Sequence, residues 1–391
     1  MSTLKVNAIS DSAGANGNAI TLATDGSCTV KATNNLSNRN LIINGAMNVA
    51  QRGTSDTSDG QGYTTVDRWY ISWGGLENVV EKHQEQLSSS DTGPWEKGFR
   101  NAWKLTNGDQ TGGQDANGYI IPQYAIEAQD LASSGWNYKS ATSYITLSFW
   151  VKSSVAQTFY GFLRSDDGTA QNYSFSYALS ANTWTKVTKT IPGNSNLDIN
   201  NDTGNGMSLM LPTFLGTSRT DAGNTLNTWA AYSGSNRTPD YTTTWYTTND
   251  ATWHMTGVQL EVSDHATEFE HLPYGVELAR CQRYCVDFPI NSQLGLGQVY
   301  SGSGYVQLPV ALPVPMRTKP SVSKNGSYWF NSNYGNSGYS GDRSVTVETP
   351  ATGSHMYRLF VAAGSDQGNA TTVWCQLHDA AGTYMRLDAE L

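Results

Sequence analysis

The chain has 391 residues and a formal net charge of −9; 38% of its residues are hydrophobic, only 15% are charged and 11% are aromatic, with 12 Trp and 21 Tyr. Average globular chains run at about 45–50% apolar and about 25% charged, so the balance here is made up by Ser, Thr, Asn and Gly, which excludes a coiled coil or helical bundle and, given the many rings, ordinary disorder. Sparse Lys and Arg with no basic run exclude a nucleic-acid surface, and no apolar stretch reaches the roughly 20 residues that cross a bilayer.

Small polar residues with abundant Tyr and Trp predict an all-β chain of short strands and many turns, and at about 150 residues per domain the length suggests two or three domains. Residues 1–39 read as an extended arm with three short β-like patches: Leu4, Val6 and Ile9, then Ile20 and Leu22, then Cys28 and Val30. Strands this short cannot bury a core alone, so the arm needs other copies of itself or a larger assembly; a frayed terminus is the plainer alternative. Met1 to Gly17 lacks the basic start and apolar core of a secretory signal, which predicts a chain made in the cytosol.

Residues 40–272 carry alternating runs. In Tyr144–Lys152, Ile145, Leu147, Phe149 and Val151 share one face, while Thr146, Ser148, Trp150 and Lys152 share the other. Further strands are predicted at Tyr173–Leu179, Trp184–Ile191, Met207–Leu211 and His254–Val262, and Asp166-Asp167-Gly168 reads as a hairpin turn. Without a βαβ rhythm, this pattern predicts an antiparallel sandwich. Residues 273–287 read as a helical connector, with Val276, Leu278, Cys281 and Cys285 on its apolar side and Glu277 placed to pair with Arg280. Residues 288–391 then read as a second, small β-sandwich, with strands at Val306–Val310, Ser344–Glu348, Met356–Ala362, Thr372–Leu377 and Tyr384–Leu387. Cys28, Cys281, Cys285 and Cys375 are too scattered for a disulfide framework and predict reduced thiols.

The sequence carries no nucleophile elbow, P-loop, dinucleotide fingerprint or HExxH, so no catalytic residue is assigned and a non-enzyme is expected. Asp198, Asn200 and Asp202 begin like a calcium loop, but Thr203 and Leu209 stand where an EF-hand needs Gly and Glu. Glu127, Asp130, Asp166, Asp167 and Glu261 are the carboxylates a glycosidase could draw on, but the sequence places no two of them opposite each other. The ring-bearing polar stretches say more. Trp229, Tyr232, Tyr241, Trp245 and Tyr246 in one, and Tyr328, Trp329, Tyr334 and Tyr339 in another, offer flat faces beside amides and hydroxyls, which suit a sugar. Packing between sheets or subunits would account for such rings equally well.

Two stretches are familiar. Asn40–Gly53 (NLIINGAMNVAQRG), with Thr65–Trp69, resembles the opening of a domain common in bacteriophage tail-fibre and receptor-binding proteins. Thr256–Tyr284, from TGVQLE to CQRY, resembles that domain's closing strand and helix, and Ser2–Ile9 resembles the attachment arm of marine-phage fibres. The resemblance implies a jelly-roll sandwich similar to carbohydrate-binding modules, in a homotrimeric fibre. It also implies a structural calcium near Asn44 or Asn48 and Glu261, with no other cofactor. The expectation is a virion protein assembled in the host cytoplasm. It would attach through residues 1–39 to a tail, baseplate or adaptor protein, present residues 288–391 outward, and adhere without covalent chemistry to host surface glycan. No membrane insertion is expected. A purely structural virion fibre or adaptor (head fibre or collar whisker) and a polysaccharide depolymerase are the alternatives.

Overall fold

The computed structural model describes residues 8–10, 18–22, 28–30, 38–110, 116–289, 292–300, 305–325, 328–331, 338–341, 345–347, 356–362, 372–377 and 384–391. Strands β1 (Ala8–Ser10), β2 (Asn18–Leu22) and β3 (Cys28–Val30) pair antiparallel in chain order, where three short patches were predicted. Leu4 and Val6 lie outside the described residues.

The main body is built from β4 (Ser55–Asp56), β5 (Tyr70–Gly74), β6 (Glu81–Gln86), β7 (Asn101–Thr106), β8 (Tyr119–Glu127), β9 (Tyr144–Ser153), β10 (Gln157–Ser165), β11 (Gln171–Leu179), β12 (Thr185–Pro192), β13 (Asn205–Met210), β14 (Phe214–Leu215), β15 (Trp229–Ala231) and β16 (Thr252–Glu261). A six-stranded sheet runs β12-β9-β16-β7-β6-β4, and a seven-stranded one runs β14-β8-β13-β10-β11-β15 with β5 paired to β8. Ile145, Leu147, Phe149 and Val151 turn inward as their alternation requires and meet Phe159, Phe175 and Tyr177 of the facing sheet in one core. The body is thus the antiparallel sandwich expected from the period-2 runs.

The two familiar motifs interlock, which explains their composition. The Asn40 side chain accepts from Leu260 N–H and Ile42 N–H and donates to Val258 O, closing the opening segment onto β16. Gly45 lies so close to this strand that a Cβ would come within 2.0 Å of Val258 O, so only glycine fits. The helix α2 (Tyr274–Gln282) seals the seam, and its Glu277 accepts from Asn44 N–H at 2.6 Å rather than pairing with Arg280. Val276 is 47% exposed, and Cys281 with partly buried Leu278 makes the inward side instead. The connector also ends earlier than expected, because Cys285 begins a strand. Arg283 and the Tyr284 hydroxyl both reach the buried Glu127 carboxylate, at 2.6 and 2.7 Å. Cys281 and Cys285 are buried free thiols.

Beyond Tyr284 a second core begins, formed by Val286, Val306, Leu308, Val310, Leu359, Met385 and Leu387 among others. Its strands are β17 (Cys285–Pro289), β18 (Gln293–Tyr300), β19 (Tyr305–Ala311), β20 (Ser321–Asn325), β21 (Tyr328–Asn331), β22 (Gly338–Gly341), β23 (Val345–Val347), β24 (Met356–Ala362), β25 (Thr372–Leu377) and β26 (Tyr384–Asp388). They form sheets ordered β17-β26-β20 and β22-β21-β25-β18-β19-β24-β23. Residues 388–391 then return to the first sandwich. Arg52 pairs with Asp388 and Glu390, each at 3.1 Å, and the wholly buried Arg68 pairs with Glu390. Arg68 also donates to Ala125 O and lies 3.5 Å from the Tyr284 ring centroid. Arg317 ties the last carbonyls to Thr203 O. Buried charges of this kind are costly to leave unpaired, so these contacts tie the end of the chain to the first sandwich.

Candidate functional site

Side chains at paired positions in a sheet share a face, so the register defines the outer surface of the six-stranded sheet. His83, Lys104, His254 and Lys152 form one row across it, and Thr256, Trp150 and Lys186 form the next. The first row is tied up internally: Glu85 accepts from Lys104 at 2.7 Å and lies 3.2 Å from His254 Nε2. The His254 hydrogen bond, helped by Lys104 against the penalty of burial, holds the Glu85 carboxyl down to about 2. Burial lowers the His254 pKa despite Glu85, so the ring is neutral at pH 7, and its buried Nδ1 has no partner among the described residues.

Residues 88–99 fold over this face. Asp91 Oδ1 accepts from Lys152 Nζ and Trp184 Nε1, both at 3.0 Å, while its other oxygen accepts from Ser88 N–H. Burial alone would raise this carboxyl, but those hydrogen bonds hold it well below the usual carboxylate range. At Gly93, with φ +95°, a Cβ would come within 2.7 Å of the Trp150 ring; at Gly257, with φ +64°, one would come within 2.5 Å of Phe99. Both glycines let the covering segment settle onto the sheet. From the other side, residues 263–272 cross back, held by Gln259, which accepts from Glu270 N–H, and by Glu261, which accepts from Thr267.

Between these two straps lies a pocket of about 450 Å³, counting the space open to solvent. Its apolar wall is Trp150 with Phe99, Phe269 and His271, the last three mutually packed at centroid distances of 4.8–5.0 Å. Lys97, Lys186 and Glu268 stand exposed at its rim, and Ser148 lines it too. Aromatic walls with a few polar groups are what a small polar–apolar ligand requires.

Most of the predicted rings are elsewhere. Trp245 and Tyr246 are 0% and 1% exposed, and Trp229 is buried against Tyr173 with its Nε1 donating to Pro192 O. The polar stretch around them folds back into the sandwich: Tyr246 stacks on Phe214, and Trp245 is bonded to Gln157 and Thr252. These three are core residues, a correction to the expectation of a binding loop. Tyr241 is largely inward as well, its hydroxyl donating to Tyr160 O or Pro212 O. Tyr232 alone of this group is half-exposed without such an inward hydroxyl bond. Tyr328 and Trp329 fall on β21 and Tyr339 on β22, paired strands rather than a loop, and Tyr334 lies outside the described residues.

The residues considered for calcium spend their side chains on hydrogen bonds within the protein. Asn44 donates to Val49 O and Asp67 O and accepts from Val49 N–H, Asn48 accepts from Asn101, and Glu261 accepts from Thr267 and Gln259. Among the described residues no group of three or more His, Cys, Asp or Glu is arranged to hold a metal. The carboxylates weighed for hydrolysis are similarly engaged: Asp166 with Arg164, Asn205 and Ser208, Asp167 with Asn200, and Glu127 with Arg283 and Tyr284. Asp130 lines a separate, larger cavity of about 960 Å³, again counting the space open to solvent, beside Arg280, Arg283 and Tyr284, and burial with the neighbouring Glu127 pushes its carboxyl up.

The chain matches no protein-family model and no curated protein. Among solved structures it is similar to the enzymatically active domain of bacteriophage CBA120 tailspike protein 4, at 12% identity and TM-score 0.30, over 57% of this chain and 21% of that one. The N-terminal cellulose-binding domain of Cellulomonas fimi β-1,4-glucanase C is similar at 11% identity and TM-score 0.25, over 56% of this chain and 99% of that one. A family 30 carbohydrate-binding module is similar at 13% identity and TM-score 0.26, over 56% and 87% of the two chains.

Proposed function

We propose that the protein is a non-catalytic adhesin that binds glycan in the pocket between Trp150 and Phe269. The supporting observation is the pocket itself: rings able to cover the C–H face of a sugar, set beside Lys97, Lys186, Glu268 and Ser148, which can meet its hydroxyls. The opening and closing motifs of the sandwich add the setting, a bacteriophage virion fibre. There the arm of residues 1–39 joins the particle, three copies associate, and host surface glycan is the target. Trimerisation would link three weak sites and raise avidity without new contacts.

Screening the full chain on an array of bacterial surface glycans tests the binding role. The expected result is retention of at least one glycan class that Trp150→Ala loses, with the recovered glycan undegraded. Equal retention by the variant, or release of reducing ends, contradicts it. Sedimentation tests the assembly: a trimer that dissociates when residues 1–39 are removed is expected, and a monomeric full chain contradicts it.

A further inference from the structure

On the opposite side of the sandwich, we propose, Arg164, Arg219 and Arg237 with Tyr232 and Tyr119 form a second binding site, selective for an anionic group (carboxylate, sulfate or phosphate ester) carried on a saccharide. It uses none of the residues of the pocket above and stands independently of that reading.

The guanidiniums of Arg164 and Arg237 lie 5.3 and 5.8 Å from the centroid of the same Tyr232 ring, and that of Arg219 lies 4.2 Å from the Tyr119 ring. All five side chains are half-buried. Beneath them the outer face of the seven-stranded sheet is apolar, with Ile121, Phe162, Met210 and Leu215 clustered and both tyrosines packed against them. The loop that carries two of the arginines is fixed in place: Arg237 N–H donates to Arg219 O, Asp221 N–H to Thr238 O, and the Asn172 amide to Arg237 O.

Three cations gathered on one patch of a chain with net charge −9 repel one another, and of the three only Arg164 is ion-paired among the described residues, with Asp166. Asp166 serves Arg164, and its other oxygen already accepts from Asn205 and Ser208. Arg219 donates from Nε to a neutral acceptor, Asn117 O. Arg237 makes no ion pair among the described residues, and its buried Nε has no hydrogen-bond partner among them. Burial first, then Arg219 and Arg164, lower its pKa, as expected of a cation lacking a counter-charge. An anion seated between the arginines would relieve the repulsion, while the two tyrosine rings and the apolar floor would receive the sugar ring bearing it.

The test measures binding of the full chain to oligogalacturonate, chondroitin sulfate oligosaccharide and phosphomannan, with maltohexaose as neutral control; the three anionic probes separate carboxylate, sulfate and phosphate sources. At least one anionic probe should bind, losing about tenfold in affinity with Arg237→Gln, and losing affinity again as salt rises from about 50 to about 500 mM. Trp150→Ala should leave this binding unchanged, so failure here and failure of the pocket reading are told apart. Arg219→Gln provides a second variant should Arg237→Gln melt early. Absence of binding to all three anionic probes, or binding indifferent to both arginine variants, overturns the proposal.

Discussion

The two outer faces of the sandwich share one core but leave their polar atoms in different states. On the six-stranded face the charges are mostly spoken for, Lys104 with Glu85, Lys152 with Asp91 and Lys97 with Glu268, and an aromatic pocket lies between them. On the seven-stranded face three arginines crowd two tyrosines, and Arg237 has no counter-ion among the described residues. One face is suited to stacking and hydrogen bonding, the other to electrostatic capture. A β-sandwich fixes neither outcome, since alternation commits only the inward residues and leaves the outward ones to specialise.

The largest effect should come from the frame both faces share. Arg68→Ala leaves Glu390 buried without its closest partner and should cost about 3–5 kcal/mol, read by chemical denaturation, with binding lost on both faces together. A change near zero would show that this pairing does not support the sandwich. Gly257→Val separates the faces: its side chain must displace Phe99 and adopt a strained φ, costing about 1–3 kcal/mol. Pocket binding should fall while anion binding survives in the folded fraction. Raising salt from about 0.1 to about 1 M shortens the screening length from about 10 to about 3 Å, which should weaken anion binding and leave pocket binding nearly unchanged. Acid should have the smallest effect. The Asp91 carboxyl is depressed in the folded state, so its stabilisation is complete above the unfolded value of about 3.9 and fades as pH falls below it. Trp184 fluorescence should therefore report loosening of residues 88–99 only below about pH 4, and a transition near neutrality would contradict the assigned clasp.

Much of the fold was legible because inward alternation is a strong signal. β9 and β11 fall where the period-2 runs placed them, and β24 and β25 where strands were expected. β6 was not legible, since its sequence EKHQEQ is polar throughout: Lys82 and Gln84 point inward but spend their polar ends on backbone carbonyls. The site was harder. Trp150 was visible as a lone ring on the polar face of β9, whereas Phe99, Phe269 and His271 arrive from two separate straps with no local pattern. The ring-rich stretch at 229–246 misled because composition reports which residues a loop contains and not which way it folds; Trp245 and Tyr246 turned inward to the core. The TGVQLE motif, read as a closing strand, is that strand and also stitching, with Val258 and Leu260 in the core and Gln259 and Glu261 holding the second strap.

The most direct measurement is a structure of the full chain with the tightest glycan found on the array. The account predicts an intact saccharide with a ring laid against Trp150 and its hydroxyls near Lys97, Lys186 or Glu268. A saccharide seated away from Trp150, or one found cleaved beside Asp130, would contradict it.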